Sequence, residues 1–270
     1  MTGRRVQLAP GYLLHHTPYR DTSRILEVLT RDHGRLTLFA RAVRGPKSRL
    51  NAILQPFQPL LLSWSGRGEA AQLTGAELEG APRVLPVARL MAAFYLNELI
   101  LKLTTRHDPH PALYTAYSSA LEVLGAAARG AADRDPVERA AVERPLRVFE
   151  KRLLDELGYG LDLATSSGDG GAVEPARFYQ FRPGQGLVAA PPLAPGAIPG
   201  SSIMALAREQ LGGPKELEDA RRLLKAAIDH CLEGRDLATR AVARSYYGLR
   251  PGPREDRAAR APGHELKKDA

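Results

Sequence analysis

The chain has 270 residues, 44% of them hydrophobic and 25% charged, which predicts about two folded domains and excludes disorder throughout. Its one cysteine, Cys231, excludes an internal disulfide framework and a cysteine-rich zinc or iron–sulfur site. The net charge of +8, from 38 Lys and Arg against 30 Asp and Glu, favours a polyanionic partner such as nucleic acid, although many basic proteins bind no polyanion.

The first 80 residues have the patterning of β-strands. Val6–Thr17 alternates loosely, and Leu36–Ala40 alternates with a period of two after a turn signal. The apolar run 57–64 and the stretch 70–78 flank a glycine-rich turn. Four or five short strands joined by tight turns predict an OB-type five-stranded barrel over residues 1–80, with an SH3-like barrel or an open meander as alternatives.

From Pro86 onward the apolar residues follow helical spacing. A first helix begins near Pro86, and a second is predicted to begin at Asp108-Pro109, with Asp108 as its N-cap. The third helix runs from about Pro136 to Leu157. Three more helical stretches follow: Ser201–Leu211, Lys215–Glu233 and Asp236–Tyr247.

The helical part, predicted over residues 85–250, contains an insertion at about 161–200. There, strand-like segments at 178–181 and 187–189 flank a Pro-Gly turn and predict a small hairpin. Residues 251–270 have few apolar anchors and predict a disordered tail. The predicted class is therefore α+β: an N-terminal OB-type barrel, then a mainly α-helical domain with a β-hairpin insertion.

No stretch approaches the roughly 18 apolar residues of a membrane span. No apolar run of signal-peptide length follows Arg4 and Arg5. We therefore expect a cytoplasmic protein without membrane contact, associated with the nucleoid if its partner is DNA.

Catalytic motifs are absent from the sequence: it contains neither a Gly-x-Ser-x-Gly elbow nor a phosphate-binding Walker loop. His107 and His110 flank Asp108-Pro109, which a helix start explains more simply than a metal site. This pattern favours a binding protein without catalytic residues, metal or cofactor. A metal-dependent nucleic-acid hydrolase using the two histidines, and an OB-fold RNA-binding protein, stay open as alternatives.

A cluster of basic residues lies between positions 31 and 49, where Asp32 is the only acid. Single-strand binders combine such charge with aromatic rings on which bases stack. Tyr19, between Pro18 and Arg20, is the best stacking candidate, whereas barrel cores favour burial of Phe39 and Phe57. The candidates for phosphate contact, with a solvated face as the alternative, are Arg20, Arg24, Arg35, Arg41, Arg44, Lys47 and Arg49.

Several ordered motifs resemble the RecO family of bacterial recombination and repair proteins. The resemblance extends from about residue 10 to 165 and, more weakly, to about 250. Its most specific piece is Leu54-Gln55-Pro56-Phe57-Gln58-Pro59-Leu60. The others include the segments 14–23, 94–99, 146–150 and 156–160.

The resemblance implies an OB barrel that binds single- and double-stranded DNA and anneals complementary strands. It implies partnership with RecR and with the acidic C-terminal tail of single-strand-binding protein (SSB), and indirectly with RecA, in the RecF pathway. For the SSB tail it indicates Arg147 and Lys151, although Arg147 could instead only pair with Glu150 three residues on.

The resemblance does not extend to zinc. Many family members carry four cysteines after a Gly-Tyr-Gly segment, here Gly158-Tyr159-Gly160, but this sequence has none there. We therefore expect no metal, and expect the loop at 165–175 to be held by turns and packing or to be mobile.

Overall fold

A computed structural model describes residues 5–45, 48–66, 71–126 and 136–248. Lys47 and the predicted tail at 251–270 lie outside the described residues, so the expectations for them stay predictions.

The N-terminal part is a closed five-stranded barrel with the strand order β1-β2-β3-β5-β4. All neighbouring strands are antiparallel except β3 and β5, which pair in parallel at Leu38 and Ala71. A short helix, α1 (Arg49–Ile53), connects β3 to β4. The predicted OB-type barrel is confirmed. Its strands are β1 (Arg5–Tyr19), β2 (Ser23–Thr30), β3 (Gly34–Ala40), β4 (Leu60–Ser65) and β5 (Ala71–Leu78).

The C-terminal part is mainly helical, with one small antiparallel sheet in the order β7-β6-β8. The predicted hairpin is confirmed, and it gains a third short strand. The helices are α2 (Leu90–Leu103), α3 (Pro111–Ala126), α4 (Pro136–Glu156), α5 (Gly200–Ala207), α6 (Pro214–Leu232) and α7 (Ala238–Gly248). The strands are β6 (Phe178–Arg182), β7 (Gly186–Ala190) and β8 (Ile198–Pro199).

The helix α3 begins at Pro111, so the prediction of a start at Asp108-Pro109 is wrong. Each proline disfavours helical geometry in the residue before it, and only after Pro111 is the chain free to coil. The first turn closes with a hydrogen bond from the Tyr114 N–H to the His110 carbonyl. The residues before it instead pack on the barrel, where a Cβ on Gly34 would lie 2.2 Å from the Asp108 carbonyl oxygen.

The barrel is joined to the helices by a shared core and by buried hydrogen bonds. Tyr12, on the outer face of β1, packs among the buried residues of α2 and α3. The Asn97 amide donates to the Leu14 carbonyl at 2.8 Å and accepts from the Tyr117 hydroxyl at 2.5 Å. The Tyr12 and Ser118 hydroxyls are 2.8 Å apart. The interface therefore combines apolar burial with satisfied polar groups.

The loop after α4 is held by backbone hydrogen bonds. The Ser166 N–H donates to the Gly171 carbonyl, and the Ser167 N–H donates to the Leu187 carbonyl of β7. The Asp162 carboxylate accepts from the N–H groups of Ala164 and Thr165, each at 3.0 Å. Turns and contact with the small sheet hold this loop, which agrees with the first of the two alternatives given above for the loop at 165–175.

The helix α7 is capped by a residue of another helix. The Glu98 carboxylate of α2 accepts hydrogen bonds from the N–H groups of Ala238 and Thr239 and from the Thr239 hydroxyl. Burial by itself would raise the pKa of Glu98, but these bonds and the nearby Lys102 charge outweigh it and lower the pKa. Glu98 thus satisfies the donors at the start of α7.

Replacing Glu98 by alanine should loosen α7. Loss of an N-cap costs about 1 kcal/mol, which should speed amide exchange in the first turn of α7 roughly fivefold. Because a lowered carboxyl pKa contributes stability that is lost as the pH falls through the folded value, α7 of the wild type should lose protection below about pH 4. Hydrogen-exchange mass spectrometry can follow both effects. Glu122→Ala, an exposed glutamate of α3, is the control, and equal protection in Glu98→Ala would contradict the cap.

Candidate nucleic-acid interface

One end of the barrel gathers an aromatic ring and several arginines at the β1–β2 turn. The Arg20 guanidinium lies 5.2 Å from the centre of the Tyr19 ring. The Arg44 side chain donates to the Arg20 carbonyl at 3.2 Å, and the Arg44 N–H donates to the Thr22 carbonyl at 3.0 Å. These bonds place the segment after β3 against the turn, although the two are about 20 residues apart in sequence.

Arg41 and Arg49 extend the same region. Arg41 directly follows Ala40, which pairs with Arg24 of β2, and Arg49 begins α1 after a turn closed by the Ser48 N–H and the Gly45 carbonyl. Among the described residues, no carboxylate lies within ion-pair distance of the four exposed arginines, although Asp21 is a near neighbour in sequence. We call Arg20, Arg41, Arg44 and Arg49 the basic end of the barrel. Their charge is free to bind phosphate.

Tyr19 lies at the end of β1, and its role in stacking stays a prediction. Tyr19 is 38% exposed, and its ring packs edge-to-face on Phe39, with 5.7 Å between ring centres. Phe57 and Trp64 are each only 5% exposed, in agreement with a core role. Phe57, however, belongs to the core shared with the helices instead of the barrel interior.

Arg24 is only partly exposed and lies beside a histidine that sequence reasoning missed. His16 and Arg24 are diagonal neighbours on one face, because His16 pairs with Leu26 of β2. Burial, Arg24 and His15 together lower the pKa of His16. The Arg24 Nη1 and the His16 Nδ1 are buried and have no hydrogen-bond partner among the described residues. The sequence signal that could have identified His16 is its register in the β1–β2 hairpin, which places it opposite Leu26, two residues from Arg24.

Arg35 does not belong to the basic end of the barrel, and its predicted contact with DNA stays a prediction. Its side chain is 12% exposed and donates to Glu27 at 2.9 Å. It also donates to the hydroxyl and carbonyl oxygens of Thr104, at 3.2 and 2.9 Å. Arg106 binds the other Glu27 oxygen at 2.7 Å. Arg35 connects the barrel to the segment after α2.

Arg147 is buried, and its assignment to the acidic SSB tail stays a prediction. Its guanidinium lies 2.7 Å from the Glu150 carboxylate, and the Tyr95 hydroxyl donates to the same oxygen at 2.7 Å. Lys151 is 16% exposed and pairs with Asp155 at 3.0 Å and Glu209 at 3.5 Å. Neither residue presents an unpaired charge to an acidic peptide.

His107 and His110 have different surroundings. The His110 ring lies 3.2 Å from the Asp108 carboxylate and 3.7 Å from that of Glu156. His107 faces a cavity beside His33 and Trp64. In the described ranges, no three His, Cys, Asp or Glu residues are grouped to hold a metal ion. Over the same ranges, no helix is long and apolar enough to cross a membrane.

The comparison with known proteins agrees with the resemblance seen in the sequence. The family model described as "Recombination protein O N terminal" matches residues 5–81, and the one described as "Recombination protein O C terminal" matches residues 87–241. "DNA repair protein RecO" of Thiobacillus denitrificans is 41% identical over 248 residues, covering 92% of this chain and 95% of the relative. The proteins of the same name from Methylococcus capsulatus and Azoarcus sp. are 41% and 38% identical, covering 89% and 88% of this chain and 94% and 95% of the relatives.

Proposed function

This chain belongs to the RecO family of recombination and DNA repair proteins, and on that premise we propose that it binds single- and double-stranded DNA and anneals complementary strands. The proposed contact surface is the basic end of the barrel, with Tyr19 as a stacking platform and Arg24 at its margin. We include Lys47 in the proposed contact surface because it lies between Arg44 and Arg49 in the sequence.

The observation that carries the proposal is the lack of acidic partners at this surface. Most cations of the helical part are paired, as Lys151 and Arg152 are with Glu209. The arginines at the basic end of the barrel have no such carboxylate among the described residues. Arginines that neutralise phosphates release counterions and leave base edges free, so two strands held in this way can pair. Annealing makes and breaks no covalent bond and needs no catalytic residue.

The proposed partners are RecR and the acidic C-terminal tail of SSB, through which the protein would help to load RecA on SSB-coated DNA. They follow from family membership. An acidic peptide that reached Lys151 would have to replace Asp155 or Glu209 as its partner, whereas Arg147 would first have to leave its buried pair. A contact through Lys151 is therefore the simpler form of this proposal.

Annealing of SSB-coated complementary oligonucleotides in the presence of a chelator tests the function. We expect duplex formation to be faster with the protein than without it, and to be unaffected by loss of divalent metal. Shortened products that appear only with metal would instead show a nucleic-acid hydrolase. Tighter binding of RNA than of single-stranded DNA of the same sequence would show an RNA-binding protein. Either result would overturn the proposal.

A further inference from the structure

A cavity of about 250 Å³ opens where the barrel meets the segment before α3. Its walls come from β1, from the β2–β3 turn with the start of β3, from the end of β4 with the start of β5, and from the residues that precede Pro111. An indole, two imidazoles and a carboxylate line it: Trp64, His33, His107 and Asp32. We call this cavity the indole pocket. The function proposed above makes no use of it.

The walls of the indole pocket are fixed to one another. The His107 N–H donates to the Arg35 carbonyl at 2.9 Å, and the His107 backbone has a φ of 62°, which few residues other than glycine adopt. Gly34 has a φ of 68° and touches the Asp108 backbone so closely that no side chain fits there. Strained backbone held by its surroundings is typical of binding sites, and a preformed pocket loses little entropy when it is filled.

The chemistry of the indole pocket fits a flat aromatic ring with polar edges. The His33 ring stands edge-to-face on Trp64, with 5.2 Å between ring centres and an angle of 86°. Neither His33 nor His107 has a side-chain hydrogen-bond partner within the described ranges. An imidazole offers one donor and one acceptor, as the edges of nucleobases do, and its ring can stack on a base.

The charge at the indole pocket argues against a phosphate. Asp32 lines the pocket, and its carboxylate would repel an anion. Among the described residues, Arg31 already binds this carboxylate at 3.1 Å. A carboxylate can instead accept a hydrogen bond from an exocyclic amino group of a base. The basic end of the barrel has the opposite character, so the two regions suit different parts of a nucleotide.

We propose that the indole pocket takes one unpaired nucleobase of a DNA strand whose phosphates lie on the basic end of the barrel. This inference rests on the proposed function and adds a base-binding subsite to it. The two regions lie at opposite ends of β2, whose eight residues span roughly 25 Å. A strand of several nucleotides covers that distance, in keeping with the roughly 4 to 16 nucleotides that OB folds bind. A base of duplex DNA can enter the pocket only after it is unpaired and unstacked, which costs free energy.

Trp64 is the only tryptophan of the chain, so its fluorescence reports on the indole pocket. Three labelled ligands are compared: a single-stranded oligonucleotide, an abasic oligonucleotide of the same length and a duplex, with binding followed independently by anisotropy. We expect the normal single strand to change the Trp64 emission as it binds. The abasic strand and the duplex should bind and leave the emission unchanged.

Two results would overturn the subsite in different ways. If the anisotropy saturates with the normal single strand but the Trp64 emission does not change, the protein binds DNA without a base in the indole pocket. That result would contradict the subsite and leave the proposed DNA binding standing. An equal change with the abasic strand would show that phosphates, not bases, affect the indole. If no oligonucleotide binds at all, the proposed function fails and the subsite fails with it.

Variants of the two histidines provide a second test. Stacking is worth about 1–3 kcal/mol per base, so His33→Ala combined with His107→Ala should weaken single-strand binding about tenfold. Duplex binding should be unchanged, which also shows that the variant is folded. His15→Ala, an exposed histidine of β1 outside the pocket, is the matched control. Unchanged single-strand affinity in the double variant would contradict the subsite.

Discussion

Replacing Arg147 by alanine should destabilise the protein by about 3–5 kcal/mol, because the Glu150 carboxylate would stay buried without its cation. Glu150 is 2% exposed, and its remaining bond from Tyr95 satisfies only one of its oxygens. Urea unfolding followed by circular dichroism measures the loss. Lys151→Ala, which breaks more exposed pairs on the same helix, should cost at most about 1 kcal/mol.

The pH dependence of the Arg147→Ala variant follows from the same pair. Burial raises the pKa of Glu150 and outweighs the opposing effects of Arg147, the Tyr95 hydrogen bond and the Arg240 charge. A carboxyl with a raised pKa binds its proton more tightly in the folded state, so its contribution to stability increases as the pH falls. Removal of Arg147 takes away an interaction that lowers this pKa, so the Glu150 carboxyl should take up its proton more readily in the variant. The stability difference between variant and wild type should therefore narrow as the pH falls from neutral. If Arg147→Ala kept wild-type stability and lost only binding of an acidic peptide, the buried placement would be wrong.

Removing three arginines from the basic end of the barrel should flatten the salt dependence of single-strand binding. At about 0.7 per phosphate contact, Arg20→Gln, Arg41→Gln and Arg44→Gln together should reduce the slope of log affinity against log salt by about 2 units. Between 50 and 200 mM salt, the affinity of the variant should then fall about 16-fold less than that of the wild type. Anisotropy titrations at several salt concentrations measure the slope.

The matched control changes the net charge by the same amount elsewhere. Arg182, Arg208 and Arg221 are exposed and lie on β6, at the end of α5 and on α6. Their replacement by glutamine should leave the slope unchanged. Equal flattening in both triple variants would show that only the overall charge matters, and the basic end of the barrel would lose its assigned role.

The parts of the structure that depend on local pattern were predictable from sequence. In β3, buried Leu36, Leu38 and Ala40 alternate with partly buried neighbours, and the barrel follows from such strands. The placement of Arg20 and Arg44 was partly predictable, because both flank turns. The start of α3 was not, because contact of Asp108 with Gly34 decides it, and those residues are far apart in sequence.

Whether a cation at the site is free depends on partners that are distant in sequence. Arg35 looks like a member of the basic cluster, but Thr104, 69 residues later, takes two of its donors. Arg147 has a visible partner in Glu150, yet its burial depends on packing that includes Tyr95 of α2. The indole pocket is lined by residues from four separate segments, so no single sequence motif indicates it.

The hydrogen bonds of Asn97 have a mechanical consequence. This side chain connects β1 to α2 and α3 inside a continuous core. Bending at the junction would therefore expose apolar surface and leave the buried Asn97 and Tyr117 donors without acceptors. If a partner pulls on the helices, the barrel should therefore move with them as one rigid body. A nucleic-acid strand bound to the basic end of the barrel would therefore move together with the whole molecule, because the barrel would not rotate relative to the helices.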